Sequence, residues 1–369
     1  MIIERISIIN FKNIEEAELI FSPKMNYLFG NNGMGKTNLL DALYYLSFTK
    51  NHTNLLDFQL VRHGEDFCVL QGFYNDNNST EEVYCGIKHK QRKIFKRNKK
   101  EYERLSEHIG LIPVVMISPA DTELIQGGST ERRKFVDIII SQYDKAYLNH
   151  LIHYNKVLQQ RNSLLKNRSI HIDNELFAIL DEQLYSDGEI IYKKRKEFIA
   201  DFCPIFQKYH QAIGDGCETV GLQYDSHLNT ASLSEALKEK RETDKILGYT
   251  SVGIHKDDLL FLLGNHLIRK IGSQGQNKTY LIALKLAQFQ FLLQKNTSIP
   301  ILLLDDIFDK LDACRVERII RLVTDGEFGQ IFVTDTNRKY LDEILASMKH
   351  DYKLFQVEEG KIEELRIRN

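Results

Sequence analysis

The chain has 369 residues, 43% of them hydrophobic and 27% charged, so it can bury a real core and is long enough for about two domains. Its 49 basic and 51 acidic residues leave a net charge of −2, which excludes a global positive field, and any surface for a polyanion must be local. The five cysteines (Cys68, Cys85, Cys203, Cys217 and Cys314) include no C-x-x-C pair, which argues against a disulfide framework or zinc site and fits a reducing cytosol; no apolar run is long enough to span a bilayer.

In chain order, the N-terminus carries charges inside its apolar stretch and lacks a small-residue cleavage site, so it reads as a strand and not as a signal peptide. Short β-rich runs, Ile2 to Ile9, Ala17 to Phe21 and Met25 to Phe29, are separated by Asn10, Asn13 and Ser22-Pro23. A glycine loop follows, and then Leu39, Leu40, Leu43 and Leu46 recur at helical spacing within Asn38 to Ser47. Strand-like segments resume at Phe67 to Tyr74 and Glu82 to Ile87. From about Thr130 to Ile213 the texture is helical and charged, interrupted only by Pro204, and reads as an α-helical insertion. Pro300 to Leu304 is a continuous apolar run ending in two aspartates, the pattern of a strand buried on both faces, and Ile331 to Thr334 is a second.

Gly30-Asn31-Asn32-Gly33-Met34-Gly35-Lys36-Thr37 satisfies G-x-x-x-x-G-K-[ST] between an expected strand and an expected helix. Glycines let the backbone wrap phosphate oxygens, the N–H groups at the helix start donate to them, and the Lys36 ammonium neutralises charge at the β and γ positions. The motif therefore predicts ATP binding and hydrolysis, with Thr37 on Mg²⁺; a glycine-rich turn that binds nothing is the bland alternative. The acidic partner is Asp305, expected at the end of a buried strand, where it holds Mg²⁺ with Thr37. Asp306 is placed to orient or deprotonate the attacking water, although it reaches less far than a glutamate, which points to slow turnover. Read alone, the two aspartates could be helix caps. Ser273-Gln274-Gly275-Gln276 opens a helical run, Tyr280 to Leu293, so a hydroxyl, a glycine backbone and a helix N-terminus converge on one anion-binding point; by itself this too could be a simple cap.

Ser273, Gly275 and Gln276, set shortly before the acidic strand in a chain with a P-loop, resemble the signature of ABC-type ATPases. In that family the signature of one subunit closes on the γ-phosphate held by the P-loop of another, and Asp309-Lys310-Leu311-Asp312 matches the loop along that seam. The wide separation of Lys36 from Asp305 resembles the split heads of SMC-type proteins, without their long coiled coils.

Over almost its whole length the chain resembles the RecF family of recombination mediators. The matching segments are Asn10-Phe11-Lys12-Asn13, the P-loop with Asn38-Leu39-Leu40-Asp41-Ala42, Ile117-Ser118-Pro119-Ala120-Asp121, Arg132-Arg133-Lys134-Phe135-Val136-Asp137, Leu158 to Lys166, Gly253-Ile254-His255-Lys256-Asp257-Asp258, and the signature. The resemblance implies an α/β fold: an ABC-type P-loop ATPase head, a mixed sheet with flanking helices, over 1–127 and 215–369, with an inserted α-helical arm domain over 128–214. It also implies a cytoplasmic protein with ATP and Mg²⁺ as cofactors and a weak, DNA-stimulated ATPase activity. Such a protein dimerises on ATP, binds DNA at single-strand gaps, and works with RecR and RecO to load RecA in gap repair and the SOS response.

The chain departs from that pattern in several places. Lys310 reverses a charge at the seam, Ile254 replaces a usual proline, and Asp335 lies where many ABC ATPases carry a γ-phosphate-sensing histidine. No obvious glutamine marks the usual lobe-linking loop, and Asp121 falls in that region.

Lys88, Lys90, Arg92, Lys93, Lys96, Arg97, Lys99 and Lys100 crowd one stretch, expected as a hairpin turning near Asn98, that either tracks DNA phosphates or is merely solvated. Arg132, Arg133 and Arg161 fit DNA contacts or helix ion pairs equally well. The competing readings are a transporter's nucleotide-binding subunit, an overcoming-lysogenization-type nuclease, and an ATP-switched clamp with negligible hydrolysis.

Overall fold

The computed structural model describes residues 1–53, 55–76, 79–166, 174–214, 216, 218–296, 298–308, 311–325, 328–336 and 351–365. It divides into two compact units, one made of Met1–Asp121 with Leu284–Asn369 and the other of Thr122–Ala283. The second reaches further along the chain than the helical texture of 128–214, because a small sheet and a further helix beyond Ile213 pack on the long helix that precedes them.

The first unit begins with β1 (Ile2–Phe11), β2 (Ile14–Ile20), β3 (Met25–Phe29) and α1 (Lys36–Phe48), followed by β4 (Phe67–Asp76), β5 (Ser79–Lys88), β6 (Ile94–Arg97), β7 (Lys100–Glu101) and β8 (Val114–Ile117). Six strands in the order β2-β1-β4-β5-β6-β7 form an antiparallel sheet in which buried Ile6, Ile8, Leu70, Val83 and Phe95 alternate with more exposed neighbours, as one buried face requires. The β6–β7 hairpin turns at Asn98 and Lys99, both at positive φ (49° and 67°), as the mirror-image hairpin turns demand.

The second unit holds α2 (Thr122–Gln126), α3 (Ser129–Tyr143), α4 (Lys145–Lys166), α5 (Asn174–Ile213), β9 (Val220–Asp225), α6 (Leu233–Leu247), β10 (Asp258–Leu263), β11 (His266–Leu267) and α7 (Ile268–Ile271). After α8 (Gln274–Lys295), which the division at Leu284 splits, the chain adds β12 (Ile301–Asp305), α9 (Ala313–Asp325), β13 (Ile331–Asp335), β14 (Tyr352–Glu358) and β15 (Lys361–Leu365) to the first unit.

The other six-stranded sheet of the first unit runs β15-β14-β3-β13-β12-β8, with β14, β3, β13, β12 and β8 parallel and only β15 antiparallel. β12 and β13 are buried at every position, which is why their sequences are apolar runs without alternation. α1 lies between the two sheets, touching β1, β4 and β5 of one and β8, β12 and β13 of the other, so it is apolar nearly all round and not one-sided. Its Leu39, Leu40 and Leu43 are at most 3% exposed, and each contributes roughly 1.5–3 kcal/mol by leaving water. Gln330, just before β13, joins the sheets: its amide bonds Ile3 N and O and the Ser22 carbonyl, each at 2.8 Å.

In the second unit α5 buries Phe177, Leu180, Leu184, Ile191, Phe198, Phe202 and Phe206 at intervals of three or four and multiples, against α4 and α6. Contrary to the sequence expectation, Pro204 does not interrupt it. Pro204 and Ala200 are both exposed, so water can satisfy the carbonyl that the proline leaves without a donor. Charged motifs meet in the interior: Arg195 bonds Asp137 (2.9 Å), the Ile254 carbonyl (2.9 Å) and Asp257 (3.3 Å), and Arg132 holds Asp258 with two bonds (2.7 and 2.9 Å). Fully buried Arg161 bonds Asp181 (2.8 Å), Asp244 (2.7 Å) and Thr250 (2.9 Å).

Two histidines are held neutral in the same way, one in each unit. Nε2–H of His108 donates to the Leu46 carbonyl (2.7 Å) and its Nδ1 accepts from Tyr102 (3.0 Å); Nε2–H of His255 donates to the Thr250 carbonyl (3.0 Å) and its Nδ1 accepts from Tyr154 (2.9 Å). Burial pushes each down to about 4 from the usual 6.5. Between those values the unfolded chain binds the extra protons, so this stability is complete above about pH 6.5 and is lost as pH falls toward 4. Lowering the pH from 7 to 5 should cost on the order of 2 kcal/mol per histidine, read from urea midpoints at the two pH values. Midpoints that do not fall would show that the imidazoles are not held neutral.

Candidate functional site

The parallel strands of the second six-stranded sheet end along one edge, and their registers decide what meets there. Thr334 of β13 pairs with Leu28 of β3 on one side and with Asp305 of β12 on the other; on β12, Leu304 pairs with Ile117 of β8. The loop Gly30 to Gly35 leaves β3 at this edge, and α1 begins at Lys36 with no side chain capping it; Asn38 N donates to the Gly35 carbonyl (3.0 Å).

Lys36 folds back over the loop, its Nζ donating to the carbonyls of Gly30 (2.6 Å) and Asn31 (2.9 Å). Burial lowers its pKa, while the charges of Asp306, Asp305 and Asp335 oppose that shift. Thr37 Oγ1 donates to both carboxylate oxygens of Asp305 (2.9 and 3.0 Å), and Thr334 Oγ1 donates to Oδ1 of the same group (2.7 Å). Burial pushes the Asp305 carboxyl up against these two hydroxyl bonds. A buried carboxylate touching a P-loop hydroxyl is an oxygen donor pair that suits a hard divalent cation, so the residues fit Mg²⁺. Asp306 stands one residue further at positive φ (48°), its N–H donating to Thr334 Oγ1 (3.1 Å), and it is half-exposed.

The predicted loop and acidic residues thus come together within one unit. Asn31, Asn32 and Gly33 form its exposed rim, and Met34 is half-buried. Ser273, Gly275 and Gln276 belong to the other unit, at the start of α8. There Ser273 Oγ accepts from Gln276 N (3.2 Å) and Gln276 Oε1 accepts from Ser273 N (2.7 Å), a capping box that leaves Ser273 exposed. Of the seam loop, Asp309 and Lys310 lie outside the described residues.

The structure adds residues to which no motif assigned a role. Asn13, from the β1–β2 turn, donates to the Met34 carbonyl (3.1 Å) and accepts from Asn38 (2.6 Å), while Lys12 pairs with Asp41 of α1. From the other side the β14–β15 turn donates Gly360 N to the same Met34 carbonyl (2.9 Å). Gly35 sits at φ 111°, where an added Cβ would lie 2.6 Å from Asn13 Oδ1, so the helix start and this asparagine occupy one space. The segments Asn10 to Asn13 and Asn38 to Ala42, noticed as family-like, are two sides of this clamp.

Several basic residues are already committed. Lys93 bonds the Thr49 carbonyl (2.6 Å), Tyr45 (2.9 Å) and Asp57 (3.0 Å), and Arg97 pairs with Glu81 through two 2.8 Å bonds. Arg132 and Arg161 are buried in ion pairs, and Arg133 bonds Ser129 and the Asp257 carbonyl (both 2.7 Å). Lys88, Lys90, Arg92, Lys99 and Lys100 remain exposed.

The RecF/RecN/SMC N terminal domain family matches residues 2–363. The chain is 67% identical over 365 residues to the DNA replication and repair protein RecF of Azobacteroides pseudotrichonymphae, covering 99% of this chain and 100% of that protein. It is 60% identical over 363 residues to the same-named protein of Parabacteroides distasonis, covering 98% and 99%. A solved structure of the recombination mediator protein RecF-ATP in the RecFOR pathway is similar with a TM-score of 0.89 at 28% identity, over 99% of this chain and 98% of that one. The fold is α/β, of the ABC-type ATPase head kind, with a helical arm.

The clamp on the loop is testable at Gly360, which sits at φ 82° with room for no Cβ: one would lie 2.2 Å from the Asn13 carbonyl oxygen. Gly360→Ala should lower stability by roughly 1–3 kcal/mol and weaken nucleotide binding, because Asn13 and Met34 must both shift. Thermal unfolding and fluorescent-nucleotide titration read the two effects; unchanged nucleotide affinity would show that the turn does not shape the loop.

Proposed function

The chain belongs to the RecF family within the RecF/RecN/SMC group, and from that premise we propose that it is an ATP-dependent, DNA-binding recombination mediator acting in the cytoplasm. It binds DNA at single-strand gaps, dimerises on ATP, and with RecR and RecO helps load RecA in gap repair and the SOS response. The observation that carries the ATPase part is the Thr37–Asp305 contact, which ties the phosphate loop to the acidic strand inside one unit. Support for the DNA part comes from kinship, since the solved relative is a recombination mediator of the RecFOR pathway.

In this reading Lys36 leaves the Gly30 and Asn31 carbonyls and turns to the β- and γ-phosphates, and the α1 N–H groups take the phosphate oxygens. Thr37 and Asp305 hold Mg²⁺, which neutralises charge on the phosphates when bound. Asp306 orients the attacking water and accepts its proton as the bond from water oxygen to the γ-phosphorus forms and the bond to the β–γ bridging oxygen breaks. Its short side chain reaches less far than a glutamate and favours slow turnover, which kinship with RecF proteins suggests DNA stimulates, so ATP acts first as a switch and hydrolysis as the reset. Ser273, Gly275 and Gln276 at the exposed start of α8 close on the γ-phosphate of a second copy. Among the described residues no helix is long and apolar enough to cross a membrane.

Sedimentation of the native chain and of Ser273→Arg, with and without ATP, tests the sandwich. ATP should shift the native chain to dimers and leave the variant monomeric; dimers of the variant, or none of the native chain, would refute it. Binding to gapped and intact duplex over a salt series tests the repair assignment. Affinity for the gap should fall steeply with salt, and no DNA signal even at low salt would sink the assignment.

A further inference from the structure

Asp305 is bonded to its register neighbour on β13, and on the other side β8 ends one residue short of it, with Ile117 opposite Leu304. Parallel strands lie about 5 Å apart, and residues in register turn their side chains to the same face. On β13 that neighbour is Thr334, whose hydroxyl reaches Oδ1 of Asp305 at 2.7 Å. On β8 the ladder runs through Ile117 opposite Leu304, so the next residue, Ser118, flanks Asp305 from the other side.

Ser118 is 6% exposed, and its Oγ has no hydrogen-bond partner among the described residues. A buried hydroxyl without a partner carries a cost that folding normally avoids, and one beside a catalytic strand end calls for an explanation. The backbone around it is fixed. Ser118 N donates to Asp121 Oδ2 (2.8 Å), and Asp121 is held in turn by Lys285 (2.7 Å) and His52 (3.4 Å). Asp121, which the sequence placed in the region of the lobe-linking loop, is therefore occupied as an anchor, and the hydroxyl it positions is the group left over.

We infer that Ser118 is a positioning residue of the ATPase site, its hydroxyl accepting a hydrogen bond from a water ligand of the divalent cation held by Thr37 and Asp305. This rests on the ATPase reading above. The cation is then bracketed from both sides of β12: Thr334 fixes the carboxylate, and Ser118 fixes the water on the opposite flank. A short hydroxyl can serve here because β8 pairs directly with β12, so no long side chain is needed to reach across.

The test uses Mn²⁺ as the probe. In the full-length chain with ATP bound, Ser118→Ala should weaken Mn²⁺ binding, measured by the loss of the free-ion EPR signal, by about three- to tenfold, the effect of one hydrogen bond. ATP affinity in EDTA should not change, Ser118→Thr should restore the Mn²⁺ affinity, and the thermal midpoint of Ser118→Ala should not fall below the native value, because no protein hydrogen bond is lost and the cost of the unpartnered hydroxyl is removed. Unchanged Mn²⁺ affinity in a variant that still binds ATP overturns the assignment. So does a loss of ATP affinity that persists in EDTA, which would place the hydroxyl on the phosphate instead. Failure of the unaltered chain to bind ATP at all would overturn the ATPase reading itself, and this one with it.

Discussion

The first unit is organised around one buried carboxylate. Asp305 is 4% exposed, and two hydroxyls, from Thr37 on the loop helix and Thr334 on the neighbouring strand, hold it in place. A carboxylate in that position raises the energy of its own ionised form, so the site is built to receive positive charge. Lys36 supplies it from within the chain, and in the proposed mechanism a divalent cation supplies the rest. Removing the parallel registers of β3, β13 and β12 would scatter these groups, since Asp305 and Thr334 come from the last residues of paired strands and Lys36 and Thr37 from the loop and helix that follow β3.

The loop itself is held by parts of the chain that are far apart in sequence. Asn13, near the N-terminus, and Gly360, near the C-terminus, both donate to the Met34 carbonyl. α1, which starts from the loop, lies between two sheets and cannot tilt without disturbing both. A phosphate loop needs fixed N–H groups to be worth more than water to an anion, and this packing fixes them before any ligand arrives.

The second unit uses charge differently. Arg132 and Arg161, which fitted DNA contacts or ion pairs equally well in the sequence, are turned inward on Asp258 and on Asp181 with Asp244, and Arg195 is turned inward on Asp137 with Asp257. Buried pairs of this kind contribute little net stability against an apolar core, but losing one partner strands the other, so they tie α3, α4, α5 and the segment before β10 to one arrangement. The basic surface open to DNA is correspondingly smaller than the sequence implied. In the hairpin, Lys93 and Arg97 serve the fold, and the exposed lysines lie around its turns.

Whatever depends on neighbours along the chain could be read before any tertiary contact was known. The glycine loop between a strand and a helix, the apolar strand ending in Asp305 and Asp306, the hairpin at Asn98 and the helical arm were all legible, because backbone freedom, buried-strand composition and helical spacing are local properties. Resemblance added the family and the candidate signature at Ser273. What it could not supply was which distant residues share a space: Thr334 and Ser118 on either flank of Asp305, Asn13 and Gly360 on Met34, and the inward turn of the arm's arginines. Those follow from strand order and register, set by long-range pairing, and Pro204 inside an unbroken α5 makes the same point in reverse. A local rule forbids that helix, and the packing of its apolar face, with water at the freed carbonyl, permits it.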